Sequence, residues 1–117
     1  MEKVIKDGKV AVLYTPNYGS GWSTSNYGNL TDKDVLLFDP VIVVLVEKYE
    51  NGEISYSCMC DKIKYYCDNK YGENAVYHGG VPDLTIAWIP IGKEFRIIDY
   101  DGYESIEYKE YVKWSKA

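Results

Sequence analysis

Between Pro82 and Tyr108 the chain carries three β-prone runs separated by two turn signals, and this arrangement limits the fold more than any other stretch. Asp101-Gly102 sits between two of the runs, and an Asp-Gly pair suits a type I′ turn because both central residues need positive φ. Pro90-Ile91-Gly92 supplies the other reversal. The stretch is expected to form a three-stranded antiparallel meander over about 83–108. Leu84–Ile89 has apolar residues on both faces and is expected to be central. Phe95–Tyr100 buries one face, with Phe95 and Ile97, and wets the other. Glu104–Tyr108 alternates charged and apolar residues as an edge strand does.

Lys9–Tyr14 is a short β-branched and apolar run that predicts a first strand inside the sheet. The segment from Leu36 to Lys48 is rich in Val and Ile, yet Asp39-Pro40 has the form of a helix start. Asp can accept hydrogen bonds from free amides, and Pro is preset for the first turn. A short, mostly buried helix is expected from Pro40 to about Lys48, with a strand as the open alternative. From Ser57 to Tyr71 the apolar positions Cys60, Ile63, Cys67 and Tyr71 follow helical spacing, and Gly72 stops the run. The end of the chain, Lys109–Ala117, carries Tyr111, Val112 and Trp114 and is expected to dock as a short helix or strand. Together these predict an α+β fold, with a mostly antiparallel sheet of four to five strands and two helices packed on one face.

A length of 117 residues suits one compact domain. The net charge of −5, with the single arginine Arg96 and lysines scattered along the chain, argues against binding a nucleic-acid polymer. No apolar run reaches membrane-spanning length and the first residues do not form a signal peptide, so a cytoplasmic protein with no membrane partner is expected. Cys58, Cys60 and Cys67 lack the spacing of a zinc site, although His78 could serve as a fourth ligand. They are expected to be reduced thiols packed as small hydrophobes, with neither metal nor cofactor bound.

The long loop after the first strand is the main candidate for recognition. Tyr18, Gly19, Ser20, Gly21, Trp22 and Ser23 follow Tyr14 closely, and Ser25 and Tyr27 continue the pattern. The loop lacks the endings of a P-loop or a dinucleotide fingerprint. Its glycine amides, hydroxyls and rings nevertheless suit a small-molecule pocket or a protein interface, provided that the Trp22 indole faces outward. The competing expectation is an Ω-loop whose Trp22 packs on the sheet. Arg96, beside Asp99, Asp101 and Glu104, is expected to make a cross-strand ion pair, with anion binding as the alternative. Catalysis would have to use His78, alone or paired with a cysteine, or the hairpin carboxylates Asp99, Asp101, Glu104 and Glu107.

The segments Lys9–Tyr14, Tyr18–Ser23, Leu37–Pro40, Gly79-Gly80, Phe95–Ile97 and Tyr100–Glu107 resemble a set of small bacteriophage and bacterial proteins for which no activity is established. That resemblance implies a binding protein that counters host defence. It would sequester a small signalling nucleotide, using Trp22, Arg96 and glycine amides, or block a host protein in an anti-CRISPR-like manner. A small hydrolase or nucleotide-modifying enzyme, and a structural homo-oligomer subunit, are the alternatives.

Overall fold

The computed structural model describes residues 2–17, 21–26, 34–109 and 117. Strands β1 (Ile5–Lys6) and β2 (Lys9–Tyr14) are joined by Asp7 and Gly8, whose φ values of 52° and 74° are those of a type I′ turn. β2 pairs along its whole length with β3 (Thr85–Pro90), from Lys9 opposite Pro90 to Tyr14 opposite Thr85. β4 (Phe95–Tyr100) and β5 (Tyr103–Tyr108) form a separate hairpin, in which Asp101 and Gly102 have φ values of 50° and 81°. The Asp-Gly turn is therefore where the sequence places it.

The meander itself is not formed. β3 takes β2 as its partner instead of β4, and it stands at the outside of the order β1-β2-β3 rather than at the centre. Two backbone bonds show how the chain leaves the sheet. Lys93 N donates to Pro90 O at 3.0 Å and Ile91 N donates to Gly8 O at 3.0 Å, which ties the exit of β3 to the β1–β2 turn. The β4–β5 hairpin then lies across one face of the three-stranded sheet instead of extending it.

Side-chain alternation makes β2 and β3 the middle of three layers. Ala11, Leu13, Ile86 and Trp88 face the helices, while Val10, Val12, Ala87 and Ile89 meet Phe95, Ile97 and Ile106 of the hairpin. A short helix α1 (Val35–Phe38) contributes to both sides, with Leu36 in the first core and Leu37 and Phe38 in the second.

Helix α2 (Pro40–Glu50) resolves the ambiguous Val/Ile run in favour of a helix. The Asp39 carboxylate accepts from Val41 N at 2.9 Å and Ile42 N at 3.3 Å, and Pro40 occupies the first helical turn. β-branched residues cost only tenths of a kcal/mol each in a helix. Full burial of Ile42, Val43 and Val46 outweighs this easily. Helix α3 (Tyr56–Tyr71) starts where Ser55 Oγ accepts from Cys58 N at 3.1 Å, and it buries Met59, Ile63 and Cys67 at helical spacing. Cys60, expected in that stripe, is only half-buried. No helix among the described residues is long and apolar enough to cross a membrane. The chain after Lys109, expected to dock on the body, lies outside the described residues except for Ala117.

Asp39 also links the two long helices. Its second oxygen accepts from Tyr66 Oη at 2.9 Å and from Tyr71 Oη. Burial, reinforced by these contacts with Asp39, pushes both phenols well above the ordinary tyrosine value. Asp39→Ala is expected to remove the cap and strand two hydroxyls, lowering stability by about 2–4 kcal/mol in urea denaturation. Tyr66→Phe and Tyr71→Phe should each cost less.

Candidate functional site

β2 runs directly into Thr15, and β5 comes back to meet it. Glu104 N donates to Thr15 O at 2.8 Å, and the Glu104 side chain then enters the interior, where the residue is 0% exposed. Oε1 accepts from Thr15 N at 3.0 Å and Thr15 Oγ1 at 3.2 Å. Oε2 accepts from Trp22 N at 3.0 Å, Thr24 N at 3.1 Å and Thr24 Oγ1 at 2.5 Å. Three backbone amides and two hydroxyls thus replace the water that a buried carboxylate would otherwise lose.

The rest of the described loop is fixed around this centre. The Trp22 indole is 0% exposed and donates from Nε1 to Leu36 O at 2.6 Å. Asn26 Nδ2 donates to Trp22 O at 2.8 Å, and its Oδ1 accepts from Tyr77 N at 2.7 Å. Gly21 passes so close to Gly80 that a Cβ on Gly80 would stand 2.1 Å from Gly21 O, so only glycine fits there. At Gly80 the missing side chain allows backbone-to-backbone packing, while a Cβ on Gly21 would meet the Ser25 side chain.

These contacts correct the expectation of an outward-facing Trp22. A large ring with one N–H is well accommodated in a core that offers a single carbonyl acceptor, and here that carbonyl belongs to Leu36. Gly21, Trp22, Ser23 and Glu104 are brought together, but as a buried joint. Tyr14 is half-buried at the end of β2, and Tyr18 and Gly19 lie outside the described residues, as do Ser20 and Tyr27. Arg96 makes the expected cross-strand pair, with Glu107 as its partner. Its Nε and Nη2 lie 3.0 and 2.6 Å from Glu107 Oε1, on the surface. Asp101 is an exposed turn residue, and the neighbouring Asp99 Oδ1 accepts from Gly102 N at 2.9 Å.

One cleft does bring Arg96 and the loop together. It measures about 370 Å³, and Ser23, Arg96, Lys3 and Asp34 are among its lining residues. Leu37, Phe38, Phe95 and Ile97 give it an apolar side, where the Phe38 and Phe95 rings meet edge to face at 6.2 Å. Lys3 Nζ stands 4.4 Å from the Phe38 ring centre. Lys3, Asp34, Leu37, Phe38, Phe95 and Ile97 were not among the residues expected to form a site. They come from three separate parts of the chain, and no local pattern joins them.

The groups considered for catalysis have other surroundings. Both His78 ring nitrogens are buried without a hydrogen bond, and Nε2 is 3.6 Å from Asp68 Oδ1. Burial, aided by Asp39 and Asp68, pushes the Cys67 thiol up to about 12, the opposite of what a nucleophile needs. Burial also raises the Cys60 thiol. Glu104 is saturated by donors and Glu107 is paired with Arg96. Among the described residues no three His, Cys, Asp or Glu side chains gather as metal ligands would.

Comparisons with protein-family models, curated proteins and solved structures returned no match.

Glu104→Gln is expected to keep one strong acceptor but place an amide N–H against existing donors. The loss should exceed about 2 kcal/mol in chemical denaturation, with Glu104→Ala worse. For the thiols, mass spectrometry after iodoacetamide treatment at neutral pH should find Cys67 unmodified in the folded protein and alkylated once it is unfolded.

Proposed function

We propose that the protein is a non-enzymatic binding protein whose ligand is a small anion bearing a flat or apolar group, with a nucleotide as the leading class. The observation that carries this reading is the cleft of about 370 Å³, which combines the Phe38 and Phe95 rings with the cations Lys3 and Arg96. Its volume lies within the range usual for small-molecule sites, roughly 300–1,000 Å³, and an apolar wall with a few polar groups is their usual lining. Guanidinium can grip a phosphate or carboxylate through two parallel hydrogen bonds. Arg96 is exposed and its Glu107 contact is a surface pair, which costs little to exchange for a ligand. The burial of Trp22 moves the proposed contact from the indole to this neighbouring cleft. The resemblance to bacteriophage proteins favours a host signalling nucleotide as the first candidate, and sequestration as the role.

Blocking a host protein is a second reading. It draws on Val41, Val44, Tyr49 and Tyr56, which are large apolar or aromatic residues left exposed on and beside α2.

A thermal-shift panel of linear and cyclic nucleotides tests the first reading. At least one member should raise the melting temperature by several degrees, an effect lost in Phe95→Ala and Arg96→Ala and retained in Asp101→Asn. If no nucleotide moves the melting temperature, the nucleotide reading fails. Recovery of a chemically altered nucleotide would show catalysis instead.

A further inference from the structure

Four of the five described strands carry charge: Lys6 in β1, Lys9 in β2, Arg96 and Asp99 in β4, and Glu104 and Glu107 in β5. β3, Thr85-Ile-Ala-Trp-Ile-Pro90, carries none. It is also one of the two outer strands of its sheet among the described residues, the other being the two-residue β1. Burial agrees with an open edge. Ala11, Val12 and Leu13 of β2 are each 0% exposed, whereas their partners Trp88, Ala87 and Ile86 are only half-buried. An edge of this kind offers a row of backbone N–H and C=O groups flanked by apolar side chains. Soluble proteins usually guard such edges with charges, bulges or a covering segment.

We propose that the outer edge of β3 pairs antiparallel with β3 of a second copy of this chain, merging two three-stranded sheets into one continuous sheet across a two-fold axis. The charges at the strand ends select this arrangement. Asp83 stands just before β3 and Lys93 shortly after it. Antiparallel pairing brings the Asp83 end of one copy to the Lys93 end of the other, while a parallel pairing would set like charges together. The contact is self-complementary, as a two-fold interface must be. Both apolar rows also continue across the junction, Ile86 and Trp88 on the helix side and Ala87 and Ile89 on the hairpin side. Pro90, which has no N–H to donate, marks where the ladder ends.

Sedimentation velocity on the full chain over a range of concentrations tests the pairing, together with hydrogen exchange of the β3 amides. The wild type should approach twice the chain mass of 13.4 kDa and dissociate on dilution. Its β3 amides should gain at least tenfold protection in the concentrated sample while those of β5 do not change. Thr85→Lys combined with Ile91→Lys places cations at a half-buried and an exposed position, so the fold should survive with a native circular dichroism spectrum, at the mass of one chain. A wild type that stays monomeric at millimolar concentration overturns the proposal, whether its β3 amides exchange freely or are already protected by the chain itself. So does a dimer that persists in the double variant with β3 unprotected. Association of β3 with an added protein but never with itself would assign the edge to a different partner and would equally refute self-pairing.

Discussion

A single buried carboxylate holds the parts of this molecule in register. Glu104 belongs to β5, but its five side-chain donors lie on Thr15, Trp22 and Thr24, in the chain that follows β2. The same residue joins the two backbones through its own N–H to Thr15 O. Removing a charge from water is expensive unless every lone pair finds a donor. The geometry that satisfies Glu104 therefore also dictates where the hairpin and the loop must sit. Asp39 works in the same way at the other side of the fold, capping α2 with one oxygen and receiving Tyr66 and Tyr71 of α3 with the other.

Features set by neighbouring residues were accessible from the sequence. Asp101-Gly102 defines its turn because positive φ at two successive positions is a local demand, and Asp39-Pro40 starts a helix for equally local reasons. The Ser57–Tyr71 spacing gave the second long helix, and the α+β class with antiparallel pairing followed from these elements. What was hidden depended on distant partners. Glu104 accepts from residues 80 to 89 positions away, so in sequence it resembles an ordinary hairpin acid. The sequence of β3 suits a central strand because both of its faces are apolar. The structure explains those two faces by a layer of helices on one side and a hairpin on the other, with no strand beyond it among the described residues.

The candidate site divides along the same line. The glycines, serine and indole of the loop stand out in the sequence by their unusual composition, but composition does not say which way a ring points. Trp22 turns inward because Leu36 O is there to accept its N–H, and Gly80 has no room for a side chain because Gly21 O passes against it. Arg96 stays exposed because Glu107 lies opposite it on β5, so no buried charge required its removal from water. The cleft that remains is a consequence of the joint. Ser23 enters it from the loop and Arg96 from the hairpin, and Glu104 keeps those two segments together.

Hydrogen exchange at the amides of Thr15, Trp22 and Thr24 tests this account most directly, since all three donate to one carboxylate. If Glu104 is the joint on which the layers depend, these loop amides should exchange as slowly as those of Ala11, Val12 and Leu13 in β2, opening only when the whole protein unfolds. Exchange orders of magnitude faster than in β2 would mean that the loop and hairpin come apart while the sheet remains folded, and the carboxylate would then be a local contact with no organising role.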